Sequence, residues 1–270
     1  MQVRKILILL DLSEETPALL DYGVQLAQSL GAQAWIQHVF YLPPAMAGEL
    51  FIPTEAIQQY QQQVREQLAA LQAATADETG LDLYYEASYG ELSVAMNQLI
   101  DREHIDLVVL GNRGGGASDN ILGSNTLRVI HRALCPVLSV PSQLNFRPIQ
   151  RITLATDEQH TSPHTMTRLV SLARQWEAHL DIIHVGSNPK RKDTESETLL
   201  DRPWSAVPHT FYQVNARDIE DGIQQHVDQH HSGLIALIPR SHGFFDRLFQ
   251  KSVTRQMVYQ TQMPLLTLPE

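Results

Sequence analysis

The stretch Leu107-Val-Val-Leu-Gly-Asn-Arg-Gly114 joins a short apolar run to a glycine-rich segment. After eight intervening residues, the segment Gly123-Ser-Asn-Thr126 opens a helical pattern. A buried strand, a pliable loop and a helix N-terminus in this order indicate an α/β fold whose loop can approach an anion. The same glycines also suit a flexible connection followed by a helix start. Spacing alone gives these two interpretations similar weight.

A second copy of this stretch, without its glycines, lies in the C-terminal half. Leu234-Ile-Ala-Leu237 runs into Ile238-Pro-Arg-Ser241, and Lys251-Ser-Val-Thr254 replaces the second glycine segment. Pro239 lacks an N–H, and Ile238 cannot adopt the conformations open to glycine. We therefore expect the second copy not to hold a phosphate group in this manner.

The two stretches belong to a repeat that covers nearly the whole chain. Lys5–Asp11 aligns with Arg151–Asp157, and Cys135–Pro141 aligns with Met263–Pro269. An internal duplication is the economical explanation. We predict a first domain at residues 1–142, a linker at 143–149 and a second domain at 150–270.

Apolar runs and helical periods alternate within each repeat. Thr16 is expected to cap the first helix, with Pro17 in its first turn and Gly31 at its end. The first repeat predicts strands at Val3–Leu10, Ala32–Phe40, Leu83–Ala87, Ile105–Leu110 and Val137–Val140, and later helices at Thr54–Ala74, Glu91–Arg102 and Ser124–Leu134. This alternation predicts an α/β fold with two tandem domains, each a five-stranded, mainly parallel sheet flanked by helices.

Composition restricts the class of protein. The formal net charge of −10 argues against general nucleic-acid binding, which needs a basic surface. The single cysteine, Cys135, lies in an apolar run and excludes an intrachain disulfide. The apolar run Ile6–Leu10 is too short for a signal peptide or a membrane span, so we expect a cytoplasmic protein that does not enter a membrane.

Several polar residues suggest chemistry. The hydroxyls of Ser124 and Thr126 could add hydrogen bonds to phosphate oxygens at the start of a helix. Asp11 could be a ligand of Mg²⁺, or a strand-end residue that accepts hydrogen bonds from loop N–H groups. No nucleophile–base pair stands out, so no catalytic residue is predicted.

Histidines in the second repeat suggest a metal site that we set aside. His226 and His230 are four residues apart on a predicted helix, with His231 beside them. No carboxylate or cysteine completes a ligand set in the local sequence. Surface histidines on a polar helix are the favoured interpretation, and no metal site is predicted.

Taken together, these motifs resemble the universal stress protein (UspA-like) family in its tandem two-domain form. The resemblance rests on a first strand ending in Asp11, a second strand ending in His38-Val39, the pattern Gly111-x-x-Gly114 … Gly123-Ser124, and the fifth strand Pro136–Pro141. It implies a Rossmann-like, adenine nucleotide alpha hydrolase-like fold. It also implies that the first domain binds ATP, ADP or AMP, with Mg²⁺ as a possible companion.

By this resemblance, Asp11 lies beside the adenosine and Val39 meets the base through its backbone. The ribose and phosphates are held by Gly111, Gly114, Gly123, Ser124 and Asn125. The full set of expected binding residues adds Leu10, Asn112, Arg113 and Thr126. The resemblance further implies that the two domains pair through their fifth strands as an intramolecular pseudo-dimer, with a homodimer as a further possibility.

Two other functions remain open at this stage. One is a slow ATP hydrolase that acts as a switch, and the other is a nucleotide-free structural or lipid-binding stress protein. We favour a regulatory module of the stress response that binds a nucleotide and is at most a weak ATPase.

Overall fold

The computed structural model describes residues 2–41, 54–112, 124–142, 144–156, 162–186, 203–216, 218–238 and 263–269. Its first half contains strands β1 (Lys5–Leu9), β2 (Gln33–Phe40), β3 (Leu83–Tyr89), β4 (Leu107–Gly111) and β5 (Val137–Val140). Between them run helices α1 (Thr16–Leu30), α2 (Thr54–Thr79), α3 (Leu92–Glu103) and α4 (Ser124–Arg132).

The second half follows the same plan over the described residues. Its strands are β6 (Arg151–Ala155), β7 (His179–Val185), β8 (His209–Val214), β9 (Leu234–Leu237) and β10 (Leu265–Thr267). Its helices are α5 (Pro163–Gln175) and α6 (Ile219–His230), with a 3₁₀ turn at Pro203–Ala206 before β8.

All these strands form one ten-stranded sheet in the order β3-β2-β1-β4-β5-β10-β9-β6-β7-β8. Pairing is parallel within each half, as the predicted α/β class requires. The halves meet where β5 and β10 pair antiparallel, with Leu138 opposite Leu266. The equivalent strands of the two halves therefore follow the same order. The antiparallel β5–β10 pair is the seam at which the two halves of the sheet meet.

Alternation along the strands assigns residues to the two faces of the sheet. Ile6 and Ile8 belong to the large core that also contains Val64 of α2, whereas Leu7 and Leu9 pack into a separate core with residues of α3 and α4. The period of two in a strand produces this division, because successive side chains point to opposite faces. The expectation of helices on both faces is confirmed.

A second contact joins the halves away from the seam. Gln175, the last residue of α5, accepts a 2.8 Å hydrogen bond from the Val3 N–H through Oε1. Its Nε2 donates to the carbonyl oxygens of Val3, at 2.8 Å, and Leu30, at 3.1 Å. One amide therefore satisfies three backbone groups of the first half.

Local corrections concern helix and strand ends. Thr16 is the first residue of α1 and Glu15 occupies the N-cap, so the expectation that Thr16 caps the helix is wrong. Gly31 does end α1, with a left-handed φ of 60° and an N–H bonded to the Gln28 carbonyl. Helix α2 extends to Thr79, beyond the predicted end at Ala74, and the left-handed Gly80, with a φ of 66°, follows its last residue. Among the described helices, none combines the length and apolarity needed to cross a bilayer.

Candidate functional site

A cleft of about 350 Å³ lies at the carboxyl ends of the strands in the first half. The chain leaves β1 toward β2 on one side and later returns to β4 on the other, so β1 and β4 flank a reversal of strand order. Ligands of open α/β sheets bind at such a reversal. Of the expected binding residues, six line this cleft: Leu10, Asp11, Val39, Gly111, Asn125 and Thr126.

The segment after β1 places the Asp11 carboxylate in the cleft. The Leu10 N–H continues the sheet by donating to the Gln37 carbonyl at 2.9 Å. The chain then turns sharply, because Leu12 has a left-handed φ of 56°. The Asp11 Oδ1 accepts a 3.1 Å hydrogen bond from the Ser13 N–H, which fixes the carboxylate as part of the turn. Asp11 thus has the strand-end role that the sequence left open, and it remains exposed to the cleft.

His38 ties the ends of the first two strands together. Its Nδ1 lies 2.8 Å from the Leu10 carbonyl oxygen. Because a carbonyl oxygen can only accept, Nδ1 donates, and the ring is held beside Asp11 and Val39. The repeat places His184 at the same position, where Nδ1 lies 3.3 Å from the Thr156 carbonyl oxygen. The histidine is therefore a structural feature of both halves.

Thr126 connects the glycine end of β4 with α4. Its hydroxyl donates a 3.1 Å hydrogen bond to the Gly111 carbonyl oxygen, and its side chain is buried. A hydroxyl has one proton, which this bond uses, so the expected hydrogen bond from Thr126 to a phosphate stays a prediction. Thr126 positions the helix N-terminus, and Asn125 lies exposed at that end of the cleft.

Two buried amides near the cleft have acceptor atoms without a partner in the described residues. They are Gln37 Oε1 and Asn112 Oδ1. Gln37 lines the cleft and was not foreseen, because a glutamine in an apolar strand carries no motif. Asn112 does not line the cleft, although it was expected to bind the ligand; its N–H donates to Val140 across the β4–β5 pair. Orphaned acceptors are rare in folded proteins and gather at functional sites.

The lining of the cleft combines carboxylates with a helix N-terminus. Asp11 and Glu15 contribute the carboxylates. Asn125 and Thr126 belong to the first turn of α4, whose backbone N–H groups and helix dipole favour an anion. Leu19, Val39 and Leu92 add apolar surface to the cleft. The cleft can therefore accept a ligand that carries both hydroxyl donors and an anionic group.

Four expected binding residues remain. Arg113, Gly114 and Gly123 fall outside the described residues. The backbone of Ser124 begins α4, which is the helical start that the glycine segment predicted. In the second half, Ile238 replaces Gly111 and its side chain is buried in the large core.

The second half contains a polar cluster that the sequence interpretation missed. His226 is buried, so its assignment to a polar surface is wrong. Its Nε2 lies 3.1 Å from Oδ2 of Asp181, a fully buried carboxylate on β7. Burial holds the pKa of His226 below its ordinary value despite the hydrogen bond to Asp181, which acts in the opposite direction. The imidazole is therefore neutral at neutral pH.

Comparison with known proteins identifies the family. The model of the universal stress protein family matches residues 2–141. The chain belongs to the universal stress protein family. Universal stress protein A homolog 1 of Coxiella burnetii is 27% identical over 141 residues, which are 52% of this chain and 97% of that protein.

Solved universal stress proteins share the fold over the full length of the chain. A universal stress protein from Archaeoglobus fulgidus is 16% identical with a TM-score of 0.74, and the alignment covers 100% of this chain and 97% of that one. A putative universal stress protein from Pseudomonas aeruginosa is 14% identical with a TM-score of 0.57, covering 99% and 93%. At these identities the likeness establishes the Rossmann-like α/β fold.

Proposed function

We propose that this universal stress protein binds an adenine nucleotide, ATP or its products ADP and AMP, in the cleft of its first half. The observation that carries the proposal is the convergence of Asp11, Val39, Gly111 and Asn125 on one cleft from four separate stretches of sequence. A cleft of about 350 Å³ is at the lower end of the range for small-molecule sites.

The carboxylate of Asp11 suits the nucleoside. Its Oδ1 accepts the Ser13 N–H, and a carboxylate has enough lone pairs to accept ribose hydroxyls as well. A carboxylate at the end of a strand has this role in dinucleotide-binding sheets. Val39 and Leu19 provide apolar surface for the base.

The start of α4 suits the phosphates. The first turn of α4 is anchored to β4 by the Thr126–Gly111 hydrogen bond, so its N-terminal N–H groups have a fixed place beside the cleft. A phosphate at a helix N-terminus is stabilised by those N–H groups and by the helix dipole. Gly114, Gly123 and Ser124 would complete the phosphate site, and Mg²⁺ would accompany ATP.

The second half supports a difference in nucleotide binding between the two repeats. The buried Ile238 side chain occupies the core position that corresponds to Gly111. We therefore infer that residues 1–142 form the nucleotide-binding domain and that residues 150–270, after a linker at 143–149, form a domain that does not bind nucleotide this way. We also propose that the halves form an intramolecular pseudo-dimer through β5 and β10 and that the protein acts in the cytoplasm as a regulatory module of the stress response.

Calorimetric titration of the full chain with ATP and Mg²⁺ tests the proposal. Asp11→Ala should weaken binding about 10- to 100-fold, since a hydrogen bond to a charged group contributes about 1.5–3 kcal/mol. The matched control is Asp157→Ala, which alters the corresponding position of the second repeat and should leave the affinity unchanged. Failure of the wild type to bind ATP, ADP or AMP, or equal loss in both variants, would contradict the proposal. ADP release well above that of Gly114→Asp would instead identify an ATP hydrolase.

A further inference from the structure

A cluster of three metal-ligating side chains lies in the second half, far along the sheet from the nucleotide cleft. Asp181 comes from β7, and His226 and His230 come from successive turns of α6. One ligand atom of each residue lies within 4.8 Å of the other two. Asp181 and His226 are buried, whereas His230 is half-buried and leads to solvent.

We propose that this cluster binds Zn²⁺ through Asp181 Oδ2, His226 Nε2 and a ring nitrogen of His230, with the fourth position open to water. Zinc takes nitrogen and carboxylate oxygen ligands at about 2.0–2.1 Å, which separates neighbouring ligands of a tetrahedron by about 3.3 Å. The observed Oδ2–Nε2 separation of 3.1 Å is close to that value. Little movement of these two side chains is needed to admit the ion.

Neighbouring groups orient the carboxylate for this role. Arg151 Nη1 donates a 2.8 Å hydrogen bond to Asp181 Oδ1, and His179 Nε2 lies 3.4 Å from the same oxygen. Both contacts occupy Oδ1 and direct Oδ2 toward His226. Hydrogen bonds to a ligating carboxylate of this kind fix its orientation in metal sites.

The ligand set also selects the ion. Arg151 balances the charge of Asp181, so the site offers two imidazole nitrogens and one carboxylate oxygen with little net negative charge. Ca²⁺ and Mg²⁺ need several oxygen ligands, whereas Zn²⁺ binds imidazole well. Three protein ligands with an open fourth position are typical of zinc sites that keep a water molecule.

An aromatic ring holds the two imidazoles in place. The rings of His226 and His230 stack with centroids 4.2 Å apart. The Tyr212 ring from β8 contacts both, with centroids at 4.6 Å and 4.7 Å. The ligands are therefore ordered before an ion arrives, which reduces the entropy lost on binding.

The first half shows that the fold does not require polar residues here. By strand register, Asp181 corresponds to Trp35, because β6 pairs with β7 as β1 pairs with β2. Helices α3 and α6 have the same length, and each ends at a left-handed histidine, His104 or His231.

This alignment places Leu99 at the position of His226. Trp35 packs against the apolar core that contains Leu99. The second half has buried polar groups at these positions, which cost free energy unless they have partners. Asp181 already pairs with Arg151 and His226, and a bound ion would add a further partner for both imidazoles.

Titration of metal-free full-length protein with Zn²⁺, and with Co²⁺ as its spectroscopic substitute, tests the proposal. We expect one ion per chain, the visible absorption of four-coordinate Co²⁺ and a rise in Tm with Zn²⁺ that a chelator reverses. His230→Gln should weaken Zn²⁺ binding at least ~100-fold, because loss of even an outer partner of a metal ligand costs 10- to 100-fold. Asp181→Asn should have the same effect where circular dichroism shows that it folds.

The matched control is His231→Asn, which removes the adjacent exposed histidine while keeping a residue that tolerates its left-handed φ of 52°. This variant should bind Zn²⁺ like the wild type. Absence of stoichiometric Zn²⁺ binding, or equal binding by the folded His230→Gln variant, would overturn the proposal. Either result leaves nucleotide binding in the first half unaffected, so the two proposals fail independently.

Discussion

The hydroxyl of Thr126 donates a hydrogen bond to the carbonyl oxygen of Gly111, and this bond joins the start of α4 to the end of β4. The two residues line the same cleft from different elements. Their bond sets where the helix N-terminus lies relative to the sheet. A small change at Thr126 should therefore affect both stability and ligand binding.

Thr126→Val retains the shape of the side chain and removes the donor. The half-buried Gly111 carbonyl then loses the hydroxyl donor, which should lower the free energy of unfolding by about 0.5–1.5 kcal/mol. ATP affinity should fall as well, because α4 is no longer held in place. Urea unfolding and calorimetric titration measure the two effects.

Thr167→Val is the control for this change. The Thr167 hydroxyl also donates to a backbone carbonyl, that of Pro163, but it lies exposed on α5. Its replacement should change neither measurement by more than a few tenths of a kcal/mol. If Thr167→Val lowered ATP affinity as much as Thr126→Val does, the loss could not be assigned to the hydrogen bond between Thr126 and Gly111.

Gln175→Ala should weaken the contact between the halves. The change removes three hydrogen bonds to Val3 and Leu30, each contributing about 0.5–1.5 kcal/mol, and we expect a total loss of about 1–3 kcal/mol in urea unfolding. Gln224→Ala is the control, since Gln224 bonds only to Asp228 on the same exposed face. If Gln175→Ala and Gln224→Ala have the same urea midpoint, Gln175 does not stabilise the contact between the two halves.

Cys135 should report on opening of the core. Burial raises the pKa of its thiol to about 12, so the native protein should react very slowly with a thiol reagent at neutral pH. Reaction requires this core to open, because Cys135 belongs to the buried cluster that also contains Val129 of α4 and Val137 of β5.

Saturating ATP should slow this labelling further, as ligand binding to the native state stabilises it by mass action. The rate can be followed by absorbance in increasing urea, and Cys135→Ala provides the background. Rapid labelling of the native protein without denaturant would show that the thiol is accessible, contrary to its burial.

Sequence patterns predicted much of the fold because the spacing of apolar residues follows the periods of strands and helices. The alternation of apolar runs and helical periods predicted every strand of the first half within a few residues, and the left-handed glycine at Gly31 marked the end of α1 correctly. Convergence of Asp11, Val39 and Gly111 was also foreseeable, since carboxyl ends of parallel strands meet at one edge.

The features that were missed depend on tertiary partners. His226 looked like a surface residue because its partner Asp181 lies 45 residues away, on strand β7. The hydrogen bond from Thr126 to the Gly111 carbonyl was not predicted, because a side-chain pattern does not show backbone acceptors. Gln37 had no motif, and only the packed sheet shows that it faces the cleft.

The antiparallel pair of β5 and β10 has a consequence for how the protein responds to dilution. Two chains that met through these strands would separate as their concentration fell. Here both strands belong to one chain, so each meets the other at an effective concentration that the connecting residues set and that does not depend on the protein concentration. The pairing of β5 with β10 therefore does not weaken on dilution, and the outer strands of the sheet that the described residues form are β3 and β8.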